Sequence, residues 1–231
     1  MASQPTALAA QVSAQLTSTK FLSPSPIWLT SFLSTQKPTT PFSAIAQTAL
    51  FRLLASDITT SLTTNALNCL PSDVHNAEIK ERHLLGPIPV QVLGIEDMSK
   101  SRWEQIEAIE ALERGEGTKG REIIRVVPTE NGDDSNDRTT RGGGLHKLLL
   151  QDAKGTRVYG MELKAVEGVG LGMNIGCKIV LKNVVVARGV LLLSPPTTTI
   201  LGGKIEALHK AWKENRKAQL KASIESTERS V

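Results

Sequence analysis

Four β-type runs follow one another between residues 145 and 203, and they limit the possible fold more than any other feature. The runs are rich in aliphatic and β-branched residues and are separated or bounded by Gly or Pro. A fifth run, Pro89–Ile95, lies upstream of residues 97–144, which are charged and glycine-rich. The pattern predicts a five-stranded closed barrel with a long insertion between strands 1 and 2. The four downstream runs are Leu148–Leu150, Val158–Leu163, Ile179–Ala187 and Val190–Leu193, with Val185, Leu191 and Leu193 expected in the barrel.

Helices are predicted on both sides of the barrel, which makes the fold class α+β, mainly β. Three amphipathic helices are expected before it; the second begins at Ser25, and the third has Thr40 as its cap and Pro41 in its first turn. A terminal helix follows the last strand and presents Trp212 to the barrel. The expected organisation is an N-terminal three-helix bundle over residues 1–60, a connector over 61–86, a barrel domain over 87–220 with the insertion at 97–144, and a frayed tail over 221–231.

Charge and cysteine content indicate which partners and which cellular compartment to expect. The net charge is +4, and acidic side chains outnumber basic ones over residues 96–144, so the basic surplus lies outside the insertion. Such a surplus is compatible with phosphate contacts or with an ordinary solvated surface. Cys69 and Cys177 are far apart, which favours two buried thiols in a reducing compartment. No apolar run approaches the roughly eighteen residues of a membrane span, so a soluble intracellular protein without a membrane contact is expected.

The sequence predicts no catalytic, cofactor or metal site. The histidines His75, His83, His146 and His209 are scattered, without metal-ligand spacing, and each is expected at the surface or at a cap. The glycine-rich run over residues 168–176 has Ile175 where a dinucleotide fingerprint needs its third glycine, and a strand follows it. We therefore expect a loop between barrel strands, no small-molecule substrate and no enzymatic activity.

A five-stranded barrel with a capping helix is the oligonucleotide/oligosaccharide-binding (OB) architecture. Binding of single-stranded DNA by this fold depends on aromatic side chains that stack on bases. All four phenylalanines precede the barrel, and its predicted strands contain Tyr159 as their one aromatic residue. The sequence therefore favours a protein-binding barrel with weak DNA contact, and an independent single-stranded nucleic-acid-binding protein is the alternative.

The insertion contains one stretch with the character of a protein contact. Trp103, Ile106, Ile109 and Leu112 recur at three-residue spacing, with glutamates between them, over a short helical segment. An aromatic anchor with aliphatic neighbours is typical of a hot spot that enters a partner's groove. The alternative is that this stripe folds back onto its own barrel. The later part, Glu130–Gly144, is polar and glycine-rich, and we expect it to be mobile.

Several motifs together resemble the RecQ-mediated genome instability protein 1 family, over about Leu8 to Leu220. The most specific are Tyr-Gly-Met-Glu from Tyr159 and the Gly-Val-Leu-Leu-Leu-Ser-Pro stretch from Gly189, which Leu-Gly-Gly follows. Leu-Gly-Pro-Ile-Pro-Val-Gln-Val from Leu85 and Ser-Arg-Trp-Glu-Gln-Ile in the insertion add to them. The short chain is similar to the fungal form, which lacks the second, carboxy-terminal barrel of the longer animal forms.

The resemblance implies a non-enzymatic nuclear subunit of a complex between a RecQ-family helicase and a type IA topoisomerase III. In that family the barrel binds the topoisomerase, and the insertion reaches its DNA gate, promoting decatenation and the dissolution of double Holliday junctions. The placement of the insertion carries over from the family but individual contacts do not, and the residue pattern makes Trp103, Ile106, Ile109 and Leu112 the expected topoisomerase-binding residues. Lys178 joins them as a strand-start lysine whose ammonium is expected to meet an acidic partner group, unless it is an ordinary exposed lysine.

Overall fold

The computed structural model describes residues 4–37, 39–65, 67–119, 122–125 and 145–228. Over these residues the helices are α1 (Gln4–Lys20), α2 (Pro26–Ser34), α3 (Phe42–Leu54), α4 (Ile58–Ser61), α5 (Arg102–Glu113) and α6 (Glu206–Glu228). The strands are β1 (Arg82–Leu84), β2 (Ile88–Asp97), β3 (Glu116–Lys119), β4 (Glu122–Arg125), β5 (His146–Asp152), β6 (Arg157–Glu162), β7 (Lys178–Leu181), β8 (Val184–Ala187), β9 (Val190–Leu193) and β10 (Thr198–Gly202).

Eight of these strands form one sheet in the order β1-β8-β9-β6-β5-β2-β7-β10, and β3 and β4 form a separate hairpin. All neighbours are antiparallel except β6 and β9, which are parallel. β9 pairs with β6, and after residues 194–197 the same chain segment continues as β10, which pairs with β7. The chain therefore closes a ring of strands β2, β5, β6, β9–β10 and β7.

The sheet has eight strands where five were predicted, because one predicted strand is divided, β1 was missed, and β10 is a separate strand after the last predicted one. The run Ile179–Ala187 breaks at Asn183, whose φ of 49° lies in the left-handed region. This break lets β7 pair with β2 and β10, while β8 pairs with β1 and β9. The short β1 lies inside the predicted connector, where three residues are too few to show an alternating pattern.

The barrel core follows from the alternation of side chains along each strand. Leu191 and Leu193 of β9 are fully buried, as expected, together with Leu148 and Leu150 of β5. Val185 was placed in the core by its residue type, but it is only half-buried, because its neighbours on β8, at positions 184 and 186, take the inward positions. Leu208 and Trp212 of α6 pack against the same core, so the terminal helix covers the barrel as predicted.

In the described part of the chain four helices, not three, precede the sheet, and they have an apolar core of their own. Ser25 caps α2 by accepting a hydrogen bond from the backbone N–H of Trp28 at 3.2 Å, as its sequence indicates. The predicted cap of α3 is wrong by one residue, since Pro41 occupies the N-cap position and no side chain caps that helix. The short α4 was missed because four residues carry too little periodicity to be recognised.

Buried polar side chains of the barrel attach the helical region to it. Gln91 Oε1 on β2 accepts a hydrogen bond from the N–H of Ile58 at 3.0 Å, at the start of α4. Asp152 Oδ2 at the end of β5 accepts one from the N–H of Leu70 at 2.8 Å. Ala153 and Leu201 add apolar contacts to the helical core. At the other end of the chain α6 continues to Glu228, so the tail expected to fray after residue 220 is helical there.

Candidate partner-binding surface

The insertion leaves the barrel through a helix whose start is encoded by Ser101 and Glu104. Ser101 Oγ accepts a hydrogen bond from the N–H of Glu104 at 3.1 Å, and Glu104 Oε2 accepts one from the N–H of Ser101 at 2.7 Å. This capping box satisfies two backbone donors at the helix end. The hydrogen bond from the backbone of Ser101 also lowers the pKa of the Glu104 carboxyl. The helix α5 therefore begins only a few residues after β2 ends.

Buried hydrogen bonds fix α5 to the end of β2. Gln105 is buried, and its Nε2 donates to the carbonyl oxygens of Asp97 at 2.9 Å and Lys100 at 3.2 Å. Arg216 of α6 donates to Gln105 Oε1 at 3.5 Å. Asp97 Oδ1 accepts hydrogen bonds from the N–H and hydroxyl of Ser99, at 2.8 and 2.6 Å, which closes the turn between strand and helix. The first part of the insertion is therefore held in one orientation relative to the barrel.

The outer side of α5 is joined to α6 by ion pairs. Lys217 Nζ lies 3.2 Å from Glu110 Oε1 and 2.7 Å from Glu113 Oε2, and Lys221 Nζ lies 3.1 Å from Glu110 Oε1. Hydrogen bonds from Lys221 and Lys217 lower the pKa of the Glu110 carboxyl. Exposed ion pairs contribute little stability singly, but this network sets how the two helices lie beside each other.

The four predicted contact residues on α5 do not share one face. Ile106 is 1% exposed and Ile109 is half-buried, whereas Trp103 and Leu112 are 62% and 67% exposed. A helix has about 3.6 residues per turn, so a spacing of three drifts around the axis, and Trp103 and Leu112 end about two and a half turns apart, on opposite sides. Ile106 therefore folds back into the molecule, whereas Trp103 and Leu112 face solvent and stay a prediction as partner contacts.

Lys178 does not have the exposed position that the sequence analysis expected. Its side chain is buried, and Nζ donates hydrogen bonds to the carbonyl oxygens of Leu54 at 3.0 Å, Ser56 at 2.6 Å and Gly176 at 2.8 Å. Burial lowers the pKa of Lys178 to about 8, against the opposing charge of Asp57. The ammonium binds the carbonyl end of α3 and has no free face to offer a partner's carboxylate.

The sequence analysis missed an apolar surface on the outside of the sheet. Tyr159 and Leu163 are 51% and 56% exposed, and Met161 between them is half-buried. The register places Met161 beside Leu192 of β9, which in turn lies beside Val185 of β8. We call Tyr159, Met161, Leu163, Leu192 and Val185 the outer sheet surface. The run Val158–Leu163 does contain the signal, because a strand with one solvated face normally alternates apolar with polar residues and this one does not.

Charged side chains connect the outer sheet surface to α5. Lys147 Nζ lies 5.3 Å from the ring centroid of Tyr159 and 2.6 Å from Glu96 Oε2. Arg102, the first residue of α5, lies with Nε 3.3 Å from Glu96 Oε1. Burial raises the pKa of the Glu96 carboxyl, but the hydrogen bonds and charges of Lys147 and Arg102 outweigh it, and the pKa is lowered. Glu96 is therefore an anion that bridges the two parts of one continuous surface.

Two histidines that were expected at the surface are buried structural residues. His146 lies at the point where the insertion returns to the barrel, and Glu162 Oε2 lies 2.8 Å from both its backbone nitrogen and its Nδ1. His209 Nδ1 accepts a hydrogen bond from the N–H of Ile175 at 3.1 Å. Within the described residues no group of three His, Cys, Asp or Glu side chains is placed to hold a metal ion. No described helix is both long and apolar enough to cross a membrane.

Comparison with known proteins identifies the family. The family model described as "RMI1, N-terminal OB-fold domain" matches residues 70–216, and the one described as "RMI1, N-terminal helical domain" matches residues 16–61. The chain belongs to the RecQ-mediated genome instability protein 1 family. RecQ-mediated genome instability protein 1 of Schizosaccharomyces pombe is 35% identical over 217 residues, which cover 87% of this chain and 90% of that protein. The resemblance found in the sequence is thereby confirmed.

Two vertebrate members of the family match shorter parts. The protein from Mus musculus is 28% identical over 140 residues, which cover 60% of this chain and 21% of that protein. The protein from Xenopus laevis is 40% identical over 63 residues, covering 26% of this chain and 11% of its own length. The chain thus spans nearly all of the yeast relative and a small part of each vertebrate one.

The OB-fold assignment relates the outer sheet surface and the exposed side of α5 to one known binding face. OB folds bind their ligands on the outer face of their second and third strands and on the loops after the first and fourth strands. In this chain the second and third barrel strands are β5 and β6, and α5 lies in the loop after the first, β2. The outer sheet surface and the exposed side of α5 therefore coincide with the usual binding face of the fold.

Proposed function

We propose that this chain is a non-enzymatic nuclear subunit of a complex between a RecQ-family helicase and topoisomerase III. Family membership supports the association with a RecQ pathway, since the relatives carry RecQ in their name. The proposed role is to bind topoisomerase III and promote decatenation and double Holliday junction dissolution. The observation that carries the proposal is the apolar binding face, in which Tyr159, Met161 and Leu163 continue through Glu96 to α5.

This face is better suited to a protein than to bases. A protein interface has an apolar core with aromatic anchors and a charged rim. Tyr159 and Trp103 are the exposed aromatics of the face, aliphatic side chains lie beside Tyr159, and Lys147, Glu96 and Arg102 form the charged part. Lys147 lies over the Tyr159 ring, the position that a stacked base would take.

The proposed mechanism is a population shift in the topoisomerase. The insertion changes the balance of open and closed DNA gates only through a difference between its contact free energies with the two states. A helix clamped by Gln105 and by the α6 lysines suits this role, because it presents Trp103 in a fixed direction. Less ordering is then needed on binding, and more of the contact free energy remains to bias the gate.

Co-purification with the cognate topoisomerase III tests the binding face. Tyr159→Glu and Leu163→Glu should each abolish co-purification, because they place a charge within the apolar surface. Leu67→Glu is the matched control, since Leu67 is 85% exposed but lies in the segment between α4 and β1, outside the face. Retention of the complex by both face variants, with unchanged circular dichroism, would show that the topoisomerase binds elsewhere.

Decatenation tests the insertion separately from binding. Replacing residues 100–143 by a short Gly/Ser linker removes α5 and the rest of the insertion but keeps the outer sheet surface, so the protein should fold and co-purify while it no longer stimulates decatenation. Trp103→Ala should also reduce stimulation, and Leu112→Ala compares it with an equally exposed residue on the other side of α5. Wild-type stimulation by the shortened protein would contradict the gate mechanism.

The alternative function is independent binding of single-stranded nucleic acid, for which the basic surplus is the one favourable observation. We expect weak binding that falls steeply with salt, as for general phosphate contacts. A tight complex that survives high salt, and is lost in Tyr159→Ala with the fold intact, would favour this alternative.

A further inference from the structure

A groove in the helical region lies outside the proposed topoisomerase-binding face. It lies between α2 and α3, has a volume of about 350 Å³, and is lined by Trp28, Ser31, Phe32, Thr35, Phe51, Arg52, Ala55 and Ser56. This volume is within the usual range of ligand-binding clefts. The lining is unusual for this chain, because it gathers three of the eight Trp, Tyr and Phe side chains of the whole sequence.

Aromatic rings form the floor and one wall of the groove. The rings of Trp28 and Phe32 are stacked, with centroids 5.5 Å apart, and Trp28 Nε1 donates a hydrogen bond to Ser56 Oγ at 3.3 Å. These contacts hold the floor rigid. Phe51 on α3 is instead 75% exposed, which is a large apolar area for a side chain at the edge of a cleft.

The charge of the groove comes from Arg52. Its guanidinium carbon lies 5.7 Å from the Phe32 ring centroid, and Nη1 donates to Thr35 Oγ1 at 3.3 Å. Among the described residues no carboxylate pairs with it. The first acidic residue of the chain is Asp57, so α2 and α3, the helices that form the groove, carry one basic side chain, Arg52, and no acidic one. The groove therefore combines an apolar cleft with an uncompensated cation.

We infer that this groove binds an acidic peptide segment of a partner protein, with a large apolar side chain between the aromatic rings and a neighbouring carboxylate on Arg52. Arginine presents a planar fork of donors that matches a carboxylate, and its hydration is weak enough for a partly apolar site. Charge complementarity selects acidic over basic segments, since a basic segment would meet like charge. The inference does not depend on the proposed topoisomerase contact, whose residues belong to α5 and the barrel strands.

A peptide fits the groove better than single-stranded nucleic acid does. Base stacking needs open ring faces in series along a strand. Phe32 is only 4% exposed, one of its faces lies against Trp28, and Arg52 lies over the ring. The rings therefore offer edges and an apolar pocket, which accept an aliphatic or aromatic side chain.

Selection from a phage-displayed library of random peptides on the full chain tests the inference. We expect enrichment of peptides in which a large apolar residue lies beside Asp or Glu. Arg52→Glu should weaken the selected peptides at least about tenfold, and the same selection on Arg52→Glu should enrich basic peptides instead. Ala55→Trp, which fills the groove without changing charge, should abolish binding of the selected peptides.

Matched variants separate the groove from the rest of the surface. Lys164→Glu reverses an exposed charge in a barrel loop, and Ala218→Trp adds a ring at an exposed position of α6, so both should keep wild-type peptide binding. Failure to enrich acidic peptides, or enrichment of peptides that Arg52→Glu and Ala55→Trp bind normally, would overturn the inference. Loss of binding of a labelled single-stranded oligonucleotide in Ala55→Trp, without enrichment of acidic peptides, would assign the groove to nucleic acid and also overturn it.

Discussion

Replacement of Lys178 by Met should destabilise the protein, although it removes a buried charge. Three buried carbonyl oxygens, of Leu54, Ser56 and Gly176, would lose the ammonium that donates to them. Hydrogen bonds from a charged donor contribute about 1.5–3 kcal/mol each. The lowered pKa, about 8 against 10.5, corresponds to a burial penalty of roughly 3 kcal/mol that the variant no longer bears. The expected net loss at pH 7 is therefore about 2–5 kcal/mol.

The pH dependence of this difference has a definite sign. Below pH 8 the Lys178 side chain is protonated in both the folded and the unfolded state, so the burial penalty is fully present. Between pH 8 and pH 10.5 the unfolded chain keeps a proton that the folded protein has released, and the free energy of unfolding rises by about 1.4 kcal/mol per pH unit. Methionine has no such proton. The gap between wild type and Lys178→Met should therefore widen by about 2 kcal/mol between pH 8 and pH 10, since the folded group is half protonated at pH 8.

Urea unfolding followed by circular dichroism, at pH 7 and at pH 10, measures both effects. Lys164→Met is the control, because Lys164 is exposed in a barrel loop and should change neither quantity. Equal stability of Lys178→Met and wild type at pH 7, with a gap that does not change at pH 10, would mean that the ammonium is not held among the carbonyls. Lys178→Glu should unfold the protein, since it turns a carboxylate toward three carbonyl oxygens.

Three further changes test the barrel and its attachments by urea unfolding. Leu191→Ala should cost about 2–5 kcal/mol, and Leu192→Ala much less, because only Leu191 points into the core; equal losses would mean the strand faces are reversed. Gly203→Ala should cost at least about 1–3 kcal/mol of unfolding free energy, because the φ of Gly203 is 99° and a Cβ there would meet the Leu54 carbonyl oxygen. An unchanged unfolding midpoint would contradict this contact. Gln105→Met should cost about 1–3 kcal/mol through the lost bonds to Asp97 and Lys100; no loss would mean that α5 is not clamped.

The parts of the fold that were predictable are those set by local sequence. Ser25 begins α2 because its hydroxyl reaches a backbone donor three residues along, a relation that the sequence contains. Leu191 and Leu193 are buried because alternate residues of a strand share a face. The capping box of α5 is likewise local, because it links two residues three positions apart. The helical segment at Trp103 was predicted from residue spacings that are equally short.

The parts that were not predictable depend on contacts between distant segments. Two of the three partners of Lys178 are backbone carbonyls more than a hundred positions away, and a carbonyl carries no residue-type signal. The division at Asn183 follows from pairing of the two halves with different strands, which a continuous Val/Ile/Leu run conceals. The predicted contact residues on α5 included Ile106, which is buried, because the pattern alone did not show that α6 lies against one side of the helix.

The way the insertion is attached explains how a loop could act on a partner's gate at all. A freely moving loop would lose conformational freedom on binding, and that loss would be similar for both gate states. Here the turn at Asp97, the side chain of Gln105 and the lysines of α6 hold α5 before any partner binds. The direction of Trp103 is therefore set by the barrel, and in the proposed complex docking of the outer sheet surface would fix where α5 is placed against the partner. A gate state that matches this placement gains contacts that the other state lacks, which is the difference in free energy that a population shift requires.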